Sequence, residues 1–202
     1  MKKYLIFDLG EVMVRFSPID MCRKFIQNES EARLVCDVLF DRIHWDRLDA
    51  GTIDDSELLA EVKKRLPKEL FQVAEKIYGS WFLSLPEIPG MRELALKLKE
   101  KYSLSLALLS NVGKAVFEHE GEIPILDIFD KKFYSAVIGY TKPSPEIYDY
   151  VCNSCGISPS EAIFVDDNEK NVRAAENFGI KAIKFTGDVG KLKSTLIEIL
   201  DK

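Results

Sequence analysis

No stretch of this chain approaches the roughly 18 consecutive apolar residues that a membrane helix needs, so a membrane partner is not expected. No basic excess is present either. Lysine and arginine number 28 against 33 acidic residues, a formal net charge of −5. That balance argues against nucleic-acid partners and anionic membrane surfaces, which need a basic face. A small anion held by a few local cations stays compatible with it. Internal repeats, low-complexity tracts and Pro/Gly-rich linkers are absent, and 202 residues point to one compact domain or one domain with an insertion. The N-terminus, Met1-Lys2-Lys3-Tyr4-Leu5-Ile6-Phe7-Asp8, has a short apolar run that Asp8 stops, too short for a secretory h-region. With no export signal, the four cysteines (Cys22, Cys36, Cys152 and Cys155) read as reduced thiols of a cytoplasmic protein. Cys152 and Cys155 have metal-like spacing but no second Cys or His pair nearby. They fall with Tyr148 and Val151 on one helical stripe, which suits core packing.

Short apolar runs alternate with amphipathic helical patterns, the mark of an α/β fold with a parallel sheet. Five runs are expected as buried strands: Tyr4–Phe7, Leu104–Leu109, Phe133–Ile138, Ala162–Val165 and Lys181–Phe185. Helix signals lie between them. Met91, Leu94, Ala95 and Leu98 form a stripe, and Ser144-Pro145 reads as an N-cap followed by proline at N1. Gly179 falls where a helix beginning near Asn168 should end, and Val189, Leu192, Leu196 and Leu200 mark a C-terminal helix.

One interval is too long. The first two strands are separated by roughly 95 residues, whereas a whole βαβ unit needs only about 30. Residues 16–86 read as an all-helical cap of four helices, leaving 1–15 and 87–202 as the core. The first opens at Ser17-Pro18 with Ile19, Cys22, Phe25 and Ile26 on a stripe, and the second carries Val35, Val38 and Leu39. The third opens with the capping-box-like Asp54-Asp55-Ser56-Glu57, and the fourth runs through Phe71, Ile77, Tyr78 and Trp81.

In an open parallel sheet, ligands bind beyond the C-terminal strand ends, where the strand order reverses. The first strand ends at Asp8-Leu9-Gly10-Glu11, the second at Ser110-Asn111, and the fourth at Asp166-Asp167-Asn168. Thr141-Lys142-Pro143 precedes the helix leading to the fourth strand. Clustered carboxylates repel unless a cation sits among them, and oxygen ligands completed by water suit Mg²⁺. A carboxylate beside such an ion can also act as a covalent nucleophile.

These four segments, in this order, resemble the motifs of the haloacid dehalogenase-like hydrolases, and the match runs along the whole chain. The position of the inserted helices is similar to that of the helical-cap subfamily. Asp-Leu-Gly-x-Val with Asp-Asp-Asn most resembles the bacterial sugar-phosphatase branch that includes α-glucose-1-phosphate phosphatase. The resemblance implies a doubly wound five-stranded core and a Mg²⁺-dependent phosphatase for a small phosphorylated metabolite. Asp8 would be nucleophile and metal ligand, and Asp167 a direct ligand. Asp166 would be a ligand or its partner, and the backbone carbonyl of Gly10 a further ligand. Ser110 and Asn111 would bind the phosphoryl group, and Lys142 would neutralise nucleophile and phosphate. The cap segment 42–51, with His44 and Trp45, would face the site and select substrate; Trp45 also suits the cap core. A closing cap implies no protein-sized substrate. Arg15 at the cap hinge is a candidate anion contact, and His119 reads as a surface residue. Monomer and homodimer both stay open.

Gly10 departs from the family pattern. Its phosphatases usually carry a second Asp there as general acid/base, help typically worth about 10²–10⁴ in rate. The alternatives are a substrate with a good leaving group, another residue in that role, with Glu11 or a cap residue such as His44 as candidates, or lost catalysis. Two rival readings follow: a metal-free 2-haloacid dehalogenase, and a degenerate phosphatase that only binds a phosphometabolite. Asn171, where many members have Asp, lowers the negative charge near the metal.

Overall fold

The structure, a computed structural model, describes residues 2–202. Its centre is a five-stranded parallel sheet made of β1 (Tyr4–Phe7), β2 (Ser105–Ser110), β3 (Lys131–Tyr134), β4 (Ala162–Asp166) and β5 (Lys181–Lys184). The order is β3-β2-β1-β4-β5, so the chain winds outward from β1 in both directions. Tyr4 to Phe7 align with Ser105 to Leu108 on one side and with Ala162 to Val165 on the other. Successive residues point to opposite faces of a strand. Leu5, Phe7, Leu106, Leu108, Ile163 and Val165 enter one apolar core. Ile6, Ala107, Leu109, Ala162 and Phe164 enter the other, which the Cys152 side chain also fills. Both faces are covered, which is why these strands read as unbroken apolar runs.

Five α-helices lie between β1 and β2 before the core helix that precedes β2. They are α1 (Pro18–Arg23), α2 (Glu29–Leu39), α3 (Arg42–Asp49), α4 (Asp55–Arg65) and α5 (Phe71–Tyr78). The chain leaves and re-enters the core through paired backbone. Arg15 N–H donates to the Pro86 carbonyl and Ile88 N–H to the Met13 carbonyl, both at 2.9 Å. The remaining helices are α6 (Met91–Tyr102), α7 (Lys114–Glu118), α8 (Ser135–Ile138), α9 (Pro145–Cys155), α10 (Glu169–Phe178) and α11 (Val189–Leu200).

Several local expectations change. Four helices were expected in the insertion and five form, because residues 42–49 make α3. Asp41 caps it, accepting the His44 N–H at 3.0 Å. The sequence pattern is masked there by polar residues on the exposed side of a short helix. The α1 stripe stops at Arg23, where the Phe25 and Ile26 N–H groups fold back onto the Cys22 carbonyl and Asn28 starts α2. The expected strand 133–138 divides. The sheet ends at Tyr134, and Ser135–Ile138 coil into the short α8, closed by a Gly139 N–H to Ser135 carbonyl bond of 2.8 Å. Ser135 and Ala136 of that turn are buried while Val137 is exposed, and a strand-like reading of Ala136, Val137 and Ile138 does not separate such a turn from sheet. The Asp54 capping box of α4 forms with both of its reciprocal bonds.

Candidate active site

Asp8 follows directly on β1, while β2 ends on Ser110 and β4 on Asp166, three adjacent strands whose register brings these ends side by side. A cleft of about 250 Å³ opens over them. Asp8, Gly10, Ser110, Asn111, Lys142, Asp167 and Asn171 line it from the sheet side. Phe16, Arg42, Trp45, Asp49, Trp81 and Leu85 line it from the insertion and its connections.

Lys142 organises the floor. Its ammonium is buried and spends its three donors on the Leu109 carbonyl at 3.0 Å, Asp8 Oδ1 at 2.8 Å and Asp166 Oδ2 at 2.8 Å. Burial by itself would pull this lysine down, but the Asp8 and Asp166 carboxylates outweigh it and hold the group above its ordinary value. Asp8 is pulled in opposite directions. Burial pushes its carboxyl up, Lys142 pulls it back, Asp166 pushes it up again, and the net shift is upward. Its Oδ1 also accepts the Leu9 N–H at 2.7 Å, which fixes the carboxylate plane.

Asp166 is fully employed by protein groups. Oδ1 accepts the Asn168 N–H and Oδ2 accepts Lys142, both at 2.8 Å, while the Asn171 amide bridges both oxygens at 3.1 Å. Asp167 is half-buried, and burial together with the neighbouring Asp166 charge raises its carboxyl. One oxygen from each of Asp8, Asp166 and Asp167 lies within 4.8 Å of the others. Three carboxylates against one ammonium leave an excess of negative charge, and hard oxygen donors so placed fit a divalent cation. Near Gly10, Glu11 N–H donates to the Val14 carbonyl and Val14 N–H to the Leu9 carbonyl; neither bond uses the Gly10 carbonyl.

Other expected residues are placed differently. The Asn111 side chain does not reach into the cleft as a free donor. It clamps the Lys142 backbone, giving its amide N–H to the Lys142 carbonyl and taking the Lys142 N–H, each at 2.8 Å. His44 does not line the cleft. Its Nδ1 pairs with Asp41 at 2.8 Å, and Arg65 closes on the same carboxylate. Glu11 reaches the cleft edge, but its Oε1 accepts the Phe16 N–H at 2.6 Å. Arg15 is exposed outside the cleft. Trp45 holds both places weighed for it. It lines the cleft and sits in an aromatic cluster with Phe16, Phe40, Tyr78 and Trp81, at ring separations of 4.9–6.4 Å.

Among the lining residues that the sequence does not single out for the site are Asp49 and Trp81. Each has a buried polar atom, Asp49 Oδ1 and Trp81 Nε1, without a hydrogen-bond partner among the described residues. Asp49 lies within segment 42–51, and nothing in its sequence neighbours signals burial.

A doubly wound parallel sheet holds a lysine-paired aspartate and two further carboxylates at its switch point, beneath the inserted helices, which places the chain among α/β proteins whose site is built from strand-end carboxylates. The family model for haloacid dehalogenase-like hydrolases matches residues 2–179, and the chain belongs to that family. It is 28% identical over 199 residues to a D-ribitol-5-phosphate phosphatase of Bacteroides thetaiotaomicron, covering 91% of this chain and 92% of that protein. It is 24% identical over 185 residues to a sesquiterpene phosphatase of Aspergillus oryzae, covering 91% and 90%. A solved structure of a Bacteroides thetaiotaomicron family enzyme, in complex with magnesium and inorganic phosphate, superposes with a TM-score of 0.69 at 26% identity. It covers 95% of this chain and 99% of that one. No helix among the described residues is long and apolar enough to cross a membrane.

Proposed function

We propose that this hydrolase is a Mg²⁺-dependent phosphatase of small phosphorylated metabolites, with sugar and polyol phosphates as its substrate class. The observation that carries the reading is Asp8, held by buried Lys142 and facing Asp167 on the floor of a covered cleft. Named phosphatases align with the chain over nine-tenths of both lengths, which supports the same chemistry. A cleft of about 250 Å³ suits a small ester and excludes a protein-sized one.

Asp8 and Asp167, with the Gly10 carbonyl, would hold the metal, which supplies charge neutralisation for the phosphoryl oxygens when bound. Asp166, its oxygens already occupied, serves by orienting Lys142 and Asn171. The Asp8 carboxylate attacks phosphorus in line, and the ester oxygen leaves toward the insertion. Ser110, which lines the cleft, binds the phosphoryl oxygens, and the Lys142 ammonium, its donors held by Leu109, Asp8 and Asp166, offsets through its charge the negative charge that shifts onto them. Asn111 acts through Lys142, fixing its backbone. Water then hydrolyses the aspartyl-phosphate. The helices of residues 16–86 act as a cap that keeps bulk water from this intermediate.

The test is phosphate release from D-ribitol 5-phosphate, glucose 1-phosphate and p-nitrophenyl phosphate, with Mg²⁺ or with EDTA. The unaltered protein turns over at least one substrate only with Mg²⁺, and Asp8→Asn abolishes it. Turnover in EDTA, or an active Asp8→Asn variant, refutes the reading. Chloride release from 2-chloropropionate without metal would replace it with a dehalogenase.

A further inference from the structure

Departure of an alkoxide from phosphorus needs a proton, and the cleft contains few groups able to give one. Lys142 has all three donors engaged, Asp166 accepts on both oxygens, and Glu11 is tied to the Phe16 N–H. Asp8 is the nucleophile, Asp167 belongs to the cation set, and Gly10 has no side chain. One acid is left. Asp49 is only 6% exposed, lines the cleft, and has an oxygen with no partner among the described residues. Leaving a buried polar group unpartnered is costly, and a group kept at that cost calls for a use.

Its position is built. Asp49 is the last residue of α3, and its carbonyl accepts the Ser135 hydroxyl at 2.5 Å. The same Ser135 oxygen accepts the Val112 N–H at 2.9 Å, one residue beyond Asn111. A single buried hydroxyl therefore ties the insertion to the strand end that carries Ser110. Beside it, Gly51 turns with φ +67° so close to α8 that a Cβ would sit 2.8 Å from the Ala136 carbonyl. Leu48 packs onto Gly113 on the other side. Asp8 lines the cleft from the sheet side and Asp49 from the insertion. In-line displacement puts the leaving oxygen on the side of phosphorus away from the nucleophile.

We infer that Asp49 is the general acid of the first half-reaction and the general base of the second, taking the place that Gly10 leaves vacant. This rests on the phosphatase reading above. In the first step Asp8 bonds to phosphorus, the phosphorus–ester oxygen bond breaks, and the Asp49 proton goes to the departing oxygen. In the second, the Asp49 carboxylate takes a proton from water as its oxygen bonds to phosphorus, and the bond to Asp8 breaks. Asp49 ends protonated, and the products are the alcohol and inorganic phosphate. Burial pushes the Asp49 carboxyl up to about 7. Arg42 and Lys142 pull it down, while Asp46 and Asp8 push it up.

The experiment compares the unaltered protein with Asp49→Asn on aryl phosphates graded in leaving-group acidity, from 2,4-dinitrophenyl to phenyl phosphate, with Mg²⁺. These esters carry no polyol hydroxyls. The unaltered protein should show a shallow dependence of kcat/KM on leaving group. Asp49→Asn should lose about 10²-fold or more on phenyl phosphate and less than about 5-fold on the dinitrophenyl ester. Calorimetry with inorganic phosphate and Mg²⁺ should give unchanged affinity, showing an intact site. Equal losses across the series, or none, overturn the role of Asp49 and leave the phosphatase reading standing. Absence of Mg²⁺-dependent turnover by the unaltered protein overturns both.

Discussion

Replacing Lys142 with methionine should destabilise the fold, and by an amount that depends on pH. The lysine sits between Asp8 and Asp166 at 2.8 Å from each, with a third bond to the Leu109 carbonyl. Methionine keeps most of the volume, so the cavity contribution is small. What remains is a pair of buried carboxyls without their cation. Removing one partner of a buried ion pair costs about 3–5 kcal/mol, because the surviving charge is left uncompensated. Asp8 is already raised by burial and held back by Lys142; without the lysine it rises further. A carboxyl whose folded value exceeds its unfolded one contributes stability at low pH and loses it as pH rises through the folded value. The loss should therefore be about 3–5 kcal/mol at pH 8 and shrink by at least ~1 kcal/mol at pH 5, where Asp8 folds as the neutral acid. Urea unfolding in EDTA at both pH values measures it. A loss below about 1 kcal/mol at pH 8, or an equal loss at both pH values, would refute the ion-pair account.

Further outcomes follow from the same contacts. Burial pushes Asp41 up, but the His44 N–H and ring together with Arg65 hold it down to about 2. That stabilisation, about 1 kcal/mol after solvent screening, is present above the unfolded value near 3.9 and is lost as pH falls through about 2. Asp41→Ala should cost about 1–2 kcal/mol in urea unfolding at pH 7, since it also removes the cap of α3. Gly51→Ala should cost about 2 kcal/mol in thermal unfolding, from its positive φ and its approach to Ala136. The same variant should lower turnover of alkyl phosphates more than that of p-nitrophenyl phosphate, because it displaces the turn beside Asp49. Chelation should remove phosphatase activity and Mg²⁺ restore it, while the denaturation curve in EDTA stays cooperative.

Strand-end chemistry is readable from the chain because each motif is local. An apolar run followed at once by Asp8, by Ser110-Asn111 or by Asp166-Asp167 places those groups at one edge of any parallel sheet the runs build. The five strands, the helices α4, α9 and α10, and the helical interruption after β1 follow from periodicity and turn chemistry within a few residues of each signal, although the Ser144 side chain makes no capping bond to α9. Lys142 is one step removed. Its motif is local, but its burial between two carboxylates requires β1 and β4 to be neighbours.

Tertiary structure alone decided which residues of the inserted helices line the cleft. His44 and Asp49 lie five residues apart on one short helix of eight, and nothing in their types says which one turns inward. The docking of α3 settles that, through a bond spanning 86 residues between the Asp49 carbonyl and Ser135 and through the close approach of Gly51 to Ala136. It buries the carboxylate and turns His44 toward Asp41. Asn111 is a similar case: its amide could serve phosphate or backbone, and the fold commits it to Lys142, 31 residues away. Local sequence determines which groups end a strand or cap a helix. The burial of an acid and the loss of its hydrogen-bond partners arise only when distant segments pack.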